Sequence, residues 1–446
     1  MANLTFLATG DSIITRRISR CKDKSFLELQ DLIRGVDASF TNIEITTPKD
    51  PVIPFSGRSL LSTRPFVLDE LAWMGFNLYN VANNHSVDYT FHGLVDTMDE
   101  LDKRRMVYAG AGRNLGEARR PAYLETAGGR VALIAAATPY ATSAWAGWAS
   151  ESRADCPGRP GLNPLRYETR YVLDDKHFEA LKDIDEALGT AATSRRQREF
   201  GVFFEGKLDA HQFLNANFYR GEKSEVKTIP NEKDVEDIAR WIRDAKRQAD
   251  FVVVSLHAHE GPANDRNSDV AAGFIPEVAH RWIDAGADIF IGHGPHCLRP
   301  LEMYKGKPVF QSLGNFLFQT ETLDRVPAEV FRGFGLDPHG ATPTELFDAR
   351  ANKADGKPRG FHANAMYWQA VLPRCRFENG RITELELYPI DLGLEGPLPE
   401  RGSPKLADAD TGTGILEGFA KMSSPLGADI TVEKKGNRVV GRVALS

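Results

Sequence analysis

Short apolar runs alternate with amphipathic stretches along the first third of the chain, and that alternation predicts βαβ units. The runs at residues 4–9, 37–44, 77–82 and 130–137 read as strands, and the stretches near 25–34, 66–75 and 91–104 read as helices. A second block of the same kind spans about 231–319. There Asn231 is placed to cap a helix carrying Val235, Ile238, Trp241, Ile242 and Ala245 on one face. The uninterrupted run Phe251-Val252-Val253-Val254 then reads as a strand buried on both faces, followed by a helix near 270–285 and strands at 288–292 and 308–312.

Between the blocks, residues 141–230 carry many polar residues and the aromatics Trp145, Trp148, Phe200, Phe203, Phe204, Phe213, Phe218 and Tyr219. A stretch this long is expected to be a partly helical insertion or lid, with the aromatics forming its own core. Residues 320–365 read as irregular, strands are expected near 366–377 and 382–389, and 390–446 reads as a loosely packed tail with a hairpin at Gly436-Asn437. The domain expectation is therefore one α/β domain over 1–320, interrupted by 141–230, with closing strands and a tail over 321–446.

Composition narrows the function classes. A net charge of -6 over 446 residues leaves no electrostatic footprint for nucleic acid. The four cysteines lie far apart without a C-x-x-C pair, which points away from a disulfide framework or structural zinc. No apolar run is long enough to span a bilayer, and no basic and apolar leader pattern opens the chain. The expectation is a cytoplasmic protein without a membrane partner.

Chemistry gathers where the strands are expected to end. Gly10-Asp11, Asn42-Ile43-Glu44, Asn83-Asn84-His85 with Asp88, His257-Ala258-His259-Glu260, and Gly292-His293-Gly294-Pro295-His296 each close one strand. Ligands of open α/β sheets collect at the carboxyl ends of strands. Carboxylate, amide and imidazole are donors that divalent cations accept. Taken singly, each motif has a plain structural reading: a turn, a surface acid, a cap or a core histidine. By strand alternation His257 and His259 are expected on opposite sides of their strand.

These motifs, with Ser312-Leu313-Gly314-Asn315-Phe316, resemble the CapA family, the poly-γ-glutamate capsule biosynthesis branch of the calcineurin-like metallophosphoesterases. The resemblance covers about residues 3–140 and 232–320 and implies a calcineurin-like four-layer α/β/β/α sandwich. It implies Asp11, Glu44, Asn84, His257 and His293 as metal ligands and His85 as the catalytic histidine, with Asp88 as its acidic partner. His296 would lie at the metal or just behind it, and a His296–Asp11 pair would form a second acid–base couple.

Two departures matter. Asp11 is followed by Ser12 and Ile13 rather than completing Asp-x-His, and Glu44 has no second acid beside it. One ion is therefore expected at least as readily as two, with Ca or Mn favoured over Mg, Zn or Fe, and no organic cofactor. With a peptide or small-molecule substrate, the preferred expectation is a metal-dependent peptide epimerase that inverts the Cα of a C-terminal residue, of the soluble lasso-peptide branch of this group. The alternative is a CapA-type phosphoesterase or hydrolase, or a capsule poly-γ-glutamate biosynthesis protein.

Overall fold

The computed structural model describes residues 3–50, 53–54, 61–138, 147–201, 209–353 and 355–445. Two sheets dominate it. In the larger, Asn3–Ile13 is central, flanked in parallel by Ala38–Ile43 and antiparallel by Gln369–Glu378. Leu78–Asn80 and Val107–Ala109 extend one side, and Arg381–Asp391 the other. In the smaller, Phe251–His257 lies between Gly129–Ala137 and Ile289–His293, all parallel, with Lys307–Leu313 and Leu298–Tyr304 beyond.

Strand alternation sorts the side chains into layers. Phe251 and Val253 face the larger sheet, where the Phe251 ring lies 5.3 Å from Phe6 and 4.8 Å from Phe377. Val252 and Val254 face the other way, onto Glu232–Lys246 and Phe274–Asp284 through Ile238, Ile242 and Trp282. Lys24–Arg34, Phe66–Met74 and Thr90–Lys103 cover the outer face of the larger sheet with Phe26, Leu71 and Met98. The order is helix, sheet, sheet, helix: a four-layer α/β sandwich. Asn231 caps its helix as expected, its side chain accepting the Asp234 N–H at 3.1 Å.

Two expectations need correction and one gains detail. The stretch 141–230 is partly helical, as expected, through Asp175–Leu188 and Thr190–Phe200, and beside them Tyr167–Leu173, His211–Phe213, Ala216–Arg220 and Glu225–Pro230 build a separate four-stranded sheet. Its aromatics pack on one another, Tyr171 on Phe218 at 5.3 Å and Phe213 on Phe218 at 6.5 Å. Trp145, Phe203 and Phe204 lie outside the described residues.

The tail is not loose. Ala409–Ser423 is a helix whose Leu416 and Phe419 are fully buried in the main core, next to the expected hairpin of Ile430–Lys435 and Arg438–Val443. The segment after residue 320 holds two short helices, Ala328–Gly333 and Pro343–Ala351, rather than irregular chain throughout.

Candidate metal centre

Every motif singled out in the sequence converges on one edge of the sandwich, between the two sheets. The pairing of this strand with Ala38–Ile43 shifts between Ala8 and Asp11, and at Gly10 within that shift a Cβ would stand 1.8 Å from the carbonyl oxygen of Gly314. Only glycine permits that approach, and it lets Asp11 N–H donate to Gly314 O at 3.1 Å. The Asp11 carboxylate accepts from Asn42 Nδ2 at 2.7 Å and from Gly294 N at 3.0 Å. Asn42 Oδ1 in turn accepts from Asn80 Nδ2 at 2.6 Å and Asn83 Nδ2 at 3.1 Å, so a relay of amides ties three strand ends together.

Glu44 is fully buried, and neither of its carboxylate oxygens has a hydrogen-bond partner among the described residues. Around its Oε1 stand His257 Nε2 and His296 Nε2, both at 3.8 Å, and His85 Nε2 at 4.0 Å. An uncompensated buried carboxylate is strongly unfavourable. Burial first, then the charges of Asp11 and Asp88, raise the Glu44 carboxyl well above its ordinary value. A divalent cation in this space removes that penalty, so the residues present fit one.

The imidazoles are held by partners that leave nitrogen lone pairs facing inward. His85 Nδ1 donates to Asp88 Oδ2 at 2.7 Å, and that oxygen also accepts Leu61 N–H at 2.7 Å. His296 Nδ1 donates to Asn315 Oδ1 at 2.9 Å, while Asn315 Nδ2 donates to the carbonyls of His296 and Tyr367. His259 Nδ1 meets Asn267 Oδ1 at 2.6 Å. His293 Nε2 meets Ser255 Oγ at 2.6 Å; when the hydroxyl accepts there, Nδ1 is free, and it lies 3.7 Å from Asp11 Oδ1. His257 sits at the centre, with Nδ1 2.9 Å from His293 Nδ1 and Nε2 2.8 Å from Asn84 Oδ1.

Two details differ from expectation. His257 and His259 do not face opposite sides, since their Nε2 atoms lie 3.0 Å apart. The strand ends at His257, and the buried Arg299 binds the carbonyls of Ala258 and His259, turning the chain back into the site. His259 thereby joins Glu44 and His257 in one cluster, beside Asp11–His257–His293 and Asp11–Glu44–His296. The donor set is fuller than the missing Asp-x-His histidine implied. The second detail concerns His296, whose direct partner is Asn315, with Asp11 Oδ2 farther off at 3.5 Å. His296 also holds a left-handed backbone (φ 61°), a conformation that costs about 1 kcal/mol or more outside glycine. The two Asn315 hydrogen bonds maintain it.

Burial pushes His257 and His259 well below their ordinary values and His293 down to about 4. For Asp11, burial pulls upward, but the close His296 and the neighbouring histidines outweigh it and hold the carboxyl below its usual range. At neutral pH His257, His259 and His293 are thus neutral imidazoles beside an ionised Asp11. Protons compete with a metal at Glu44, whose raised carboxyl must give up its proton, and at the histidines, which for His293 protonate near pH 4 rather than 6.5. The rise in Tm on adding a divalent cation is therefore expected to be largest at pH 7.5, to shrink on acidification as Glu44 takes up its proton, and to vanish toward pH 4, as read by thermal unfolding across that range.

A calcineurin-like α/β sandwich with acidic, amide and imidazole donors at one edge defines the class. The chain belongs to the family described as bacterial capsule synthesis protein PGA_cap, whose model matches residues 5–320. It is 34% identical to the protein y4sH of Sinorhizobium fredii over 441 residues, 97% of this chain and 92% of that one. It is 26% identical to the PGA biosynthesis protein CapA of Bacillus subtilis over 286 residues, 61% of this chain and 54% of that one. A probable polyglutamine synthesis accessory protein of Mycobacterium tuberculosis is 25% identical over 63% of this chain and 55% of its own length. Among the described residues, no helix is long and apolar enough to cross a membrane.

Proposed function

We propose that this chain is a metal-dependent enzyme of the CapA type, with hydrolysis of a phosphoester or related bond as its reaction. The observation that carries the reading is Glu44, fully buried and without a hydrogen-bond partner among the described residues, with the Nε2 atoms of three histidines about it. Asp11, Glu44, Asn84, His257 and His293 would hold the ion, with His259 beside them. A bound divalent cation supplies a Lewis acid that stabilises developing anionic charge and activates water. Oxygen donors favour Ca, Mg or Mn and imidazoles favour Mn, Fe or Zn, which supports Mn first and Ca next.

His85 does the proton transfer. Asp88 accepts its Nδ1 hydrogen and fixes the tautomer, so Nε2 presents a lone pair to the site or, once protonated, a proton for the leaving group. Arg299 and the amide relay through Asn42 orient the donors without touching the reacting atoms. The Bacillus relative is named for PGA biosynthesis and the Mycobacterium relative for polyglutamine synthesis, which supports a role here in making or modifying a peptide-like polymer.

A second reading is epimerisation at a peptide Cα, as in the lasso-peptide branch. One observation favours it: His85 Nε2 and His296 Nε2 approach the same oxygen of Glu44, at 4.0 and 3.8 Å, each with its Nδ1 tied down. One imidazole would take the Cα proton and the other would return a proton to the opposite face, with no net change in composition. Incubation with a generic phosphate ester and, separately, a peptide in D2O, with Mn or Ca present, separates the two. Phosphate release without deuterium uptake is the expected result. Deuterium at one Cα without hydrolysis selects the second reading, and neither outcome with Mn, Ca, Mg or Zn would refute both.

A further inference from the structure

The helix pair of the insertion, joined at Gly189, is under-packed. Asp175–Leu188 buries only Asp185 and Thr190–Phe200 only Ala191, although helices of this length draw most of their stability from burying one face. Large apolar side chains stand mostly in solvent here: Ile184 (51% exposed), Leu188 (63%) and Phe200 (72%). Ile184 and Leu188 are one turn apart, so they form a stripe, whereas exposed apolar residues elsewhere are usually scattered. On the second helix Arg196 and Phe200 are likewise one turn apart.

Charge says what covers this stripe. The first helix is acidic, with Asp175, Glu179, Asp183, Asp185 and Glu186 against two lysines. The second is basic, with Arg195, Arg196 and Arg198 against Glu199. Several of these charges are paired within the subunit, as Glu186 is with Arg195 and Glu179 with Arg220. Asp183, on the flank of the apolar stripe, and Arg196, on the outward face of the second helix, have no ion pair among the described residues. A surface that is acidic on one helix and basic on its neighbour is complementary to itself under a two-fold rotation.

We propose that this helix pair is an interface between two copies of the chain. Ile184 and Leu188 of each copy pack against the second helix of the other, and Asp183 of each copy pairs with the other's Arg196. The four helices form an antiparallel bundle with an apolar centre and charged flanks. The interface lies on the insertion, on elements separate from those that carry Asp11, Glu44 and the histidines, so it is testable without reference to catalysis.

The experiment is sedimentation velocity on the full-length protein at micromolar concentration. The expected result is a dimer that Leu188→Asp weakens by about 30-fold or more, with melting temperature and metal content unchanged. Asp183→Arg and Arg196→Asp should each weaken the dimer a few-fold, and the double charge swap should recover most of the loss. A monomeric wild type, or a dimer of undiminished affinity in Leu188→Asp, overturns the interface. A double swap no stronger than the single variants overturns the proposed pairing.

Discussion

His85→Ala is expected to lower turnover by about 10²–10⁴-fold, the range spanned by positioned acid–base groups, while metal content stays at the wild-type level. The separation follows from position. His85 Nε2 is 4.0 Å from Glu44 Oε1, on the rim of the cluster, and is absent from the donor groups that close on Asp11, Glu44 and His257. Its side chain retains 14% exposure, whereas those of His257 and His293 retain 1% and 0%. The imidazole therefore has access to substrate that the inner histidines lack. Asp88→Asn should reproduce part of the loss, because an amide still hydrogen-bonds Nδ1 but no longer supports the imidazolium that forms in transfer. Steady-state kinetics with metal analysis on the same preparations checks both variants. Equal loss of metal and activity in His85→Ala would instead make His85 a ligand.

Glu44→Gln should change stability in opposite directions with and without metal. In the metal-free protein Glu44 is a buried acid without a hydrogen-bond partner among the described residues. Its carboxyl value is raised in the folded state, so folding is penalised above the unfolded value near 4.5, and the penalty grows until the pH passes the folded one. Glutamine removes the charge and should stabilise the metal-free fold by about 1–3 kcal/mol, the range for an unsatisfied buried polar group. With metal present the order reverses, because the wild type gains binding energy that the variant loses. At 100-fold excess over the dissociation constant that gain is about 2.7 kcal/mol. Thermal unfolding of both proteins in chelator and in saturating Mn reads the crossing directly. Parallel shifts under the two conditions would contradict a metal-ligating Glu44.

Much of the sandwich was legible because its strands are buried on both faces. Phe251-Val252-Val253-Val254 reads as a strand from composition alone, and the amphipathic stretch after Asn231 reads as a helix. Edge strands were harder to see. Ala122–Thr126 is half-exposed along most of its length and carries no apolar run. Ala409–Ser423 was missed because Gly412, Gly414, Gly418 and two threonines lower its intrinsic helix propensity. Packing overrides that deficit: a Cβ at Gly412 would meet Val439 at 2.7 Å, so the glycine lets the helix lie close on the sheet.

The site divides in the same way. The positions of Asp11, Glu44, Asn84, His85, His257, His293 and His296 were legible because each lies at or near the carboxyl end of a strand, and those ends of the two sheets meet. The partners that orient them were not. Asn315 is 19 residues from His296 and Asn267 is 8 residues from His259, across turns whose geometry no local pattern fixes. The inward turn of His259 depends on Arg299, some 40 residues on, reaching back to its carbonyl. Arg299, three residues past His296, was the available signal, since a guanidinium buried there must find several acceptors.

Whether the buried carboxylate, amide and imidazole cluster holds a divalent metal is read from the metal content of the purified protein by inductively coupled plasma mass spectrometry, followed by calorimetric titration of the chelated protein with Mn and Ca. At least one ion is expected to be retained per chain, restored after chelation, and lost in Glu44→Gln. A chain that emerges metal-free, and shows neither heat of binding nor a rise in Tm with any divalent cation, would contradict a metal site there.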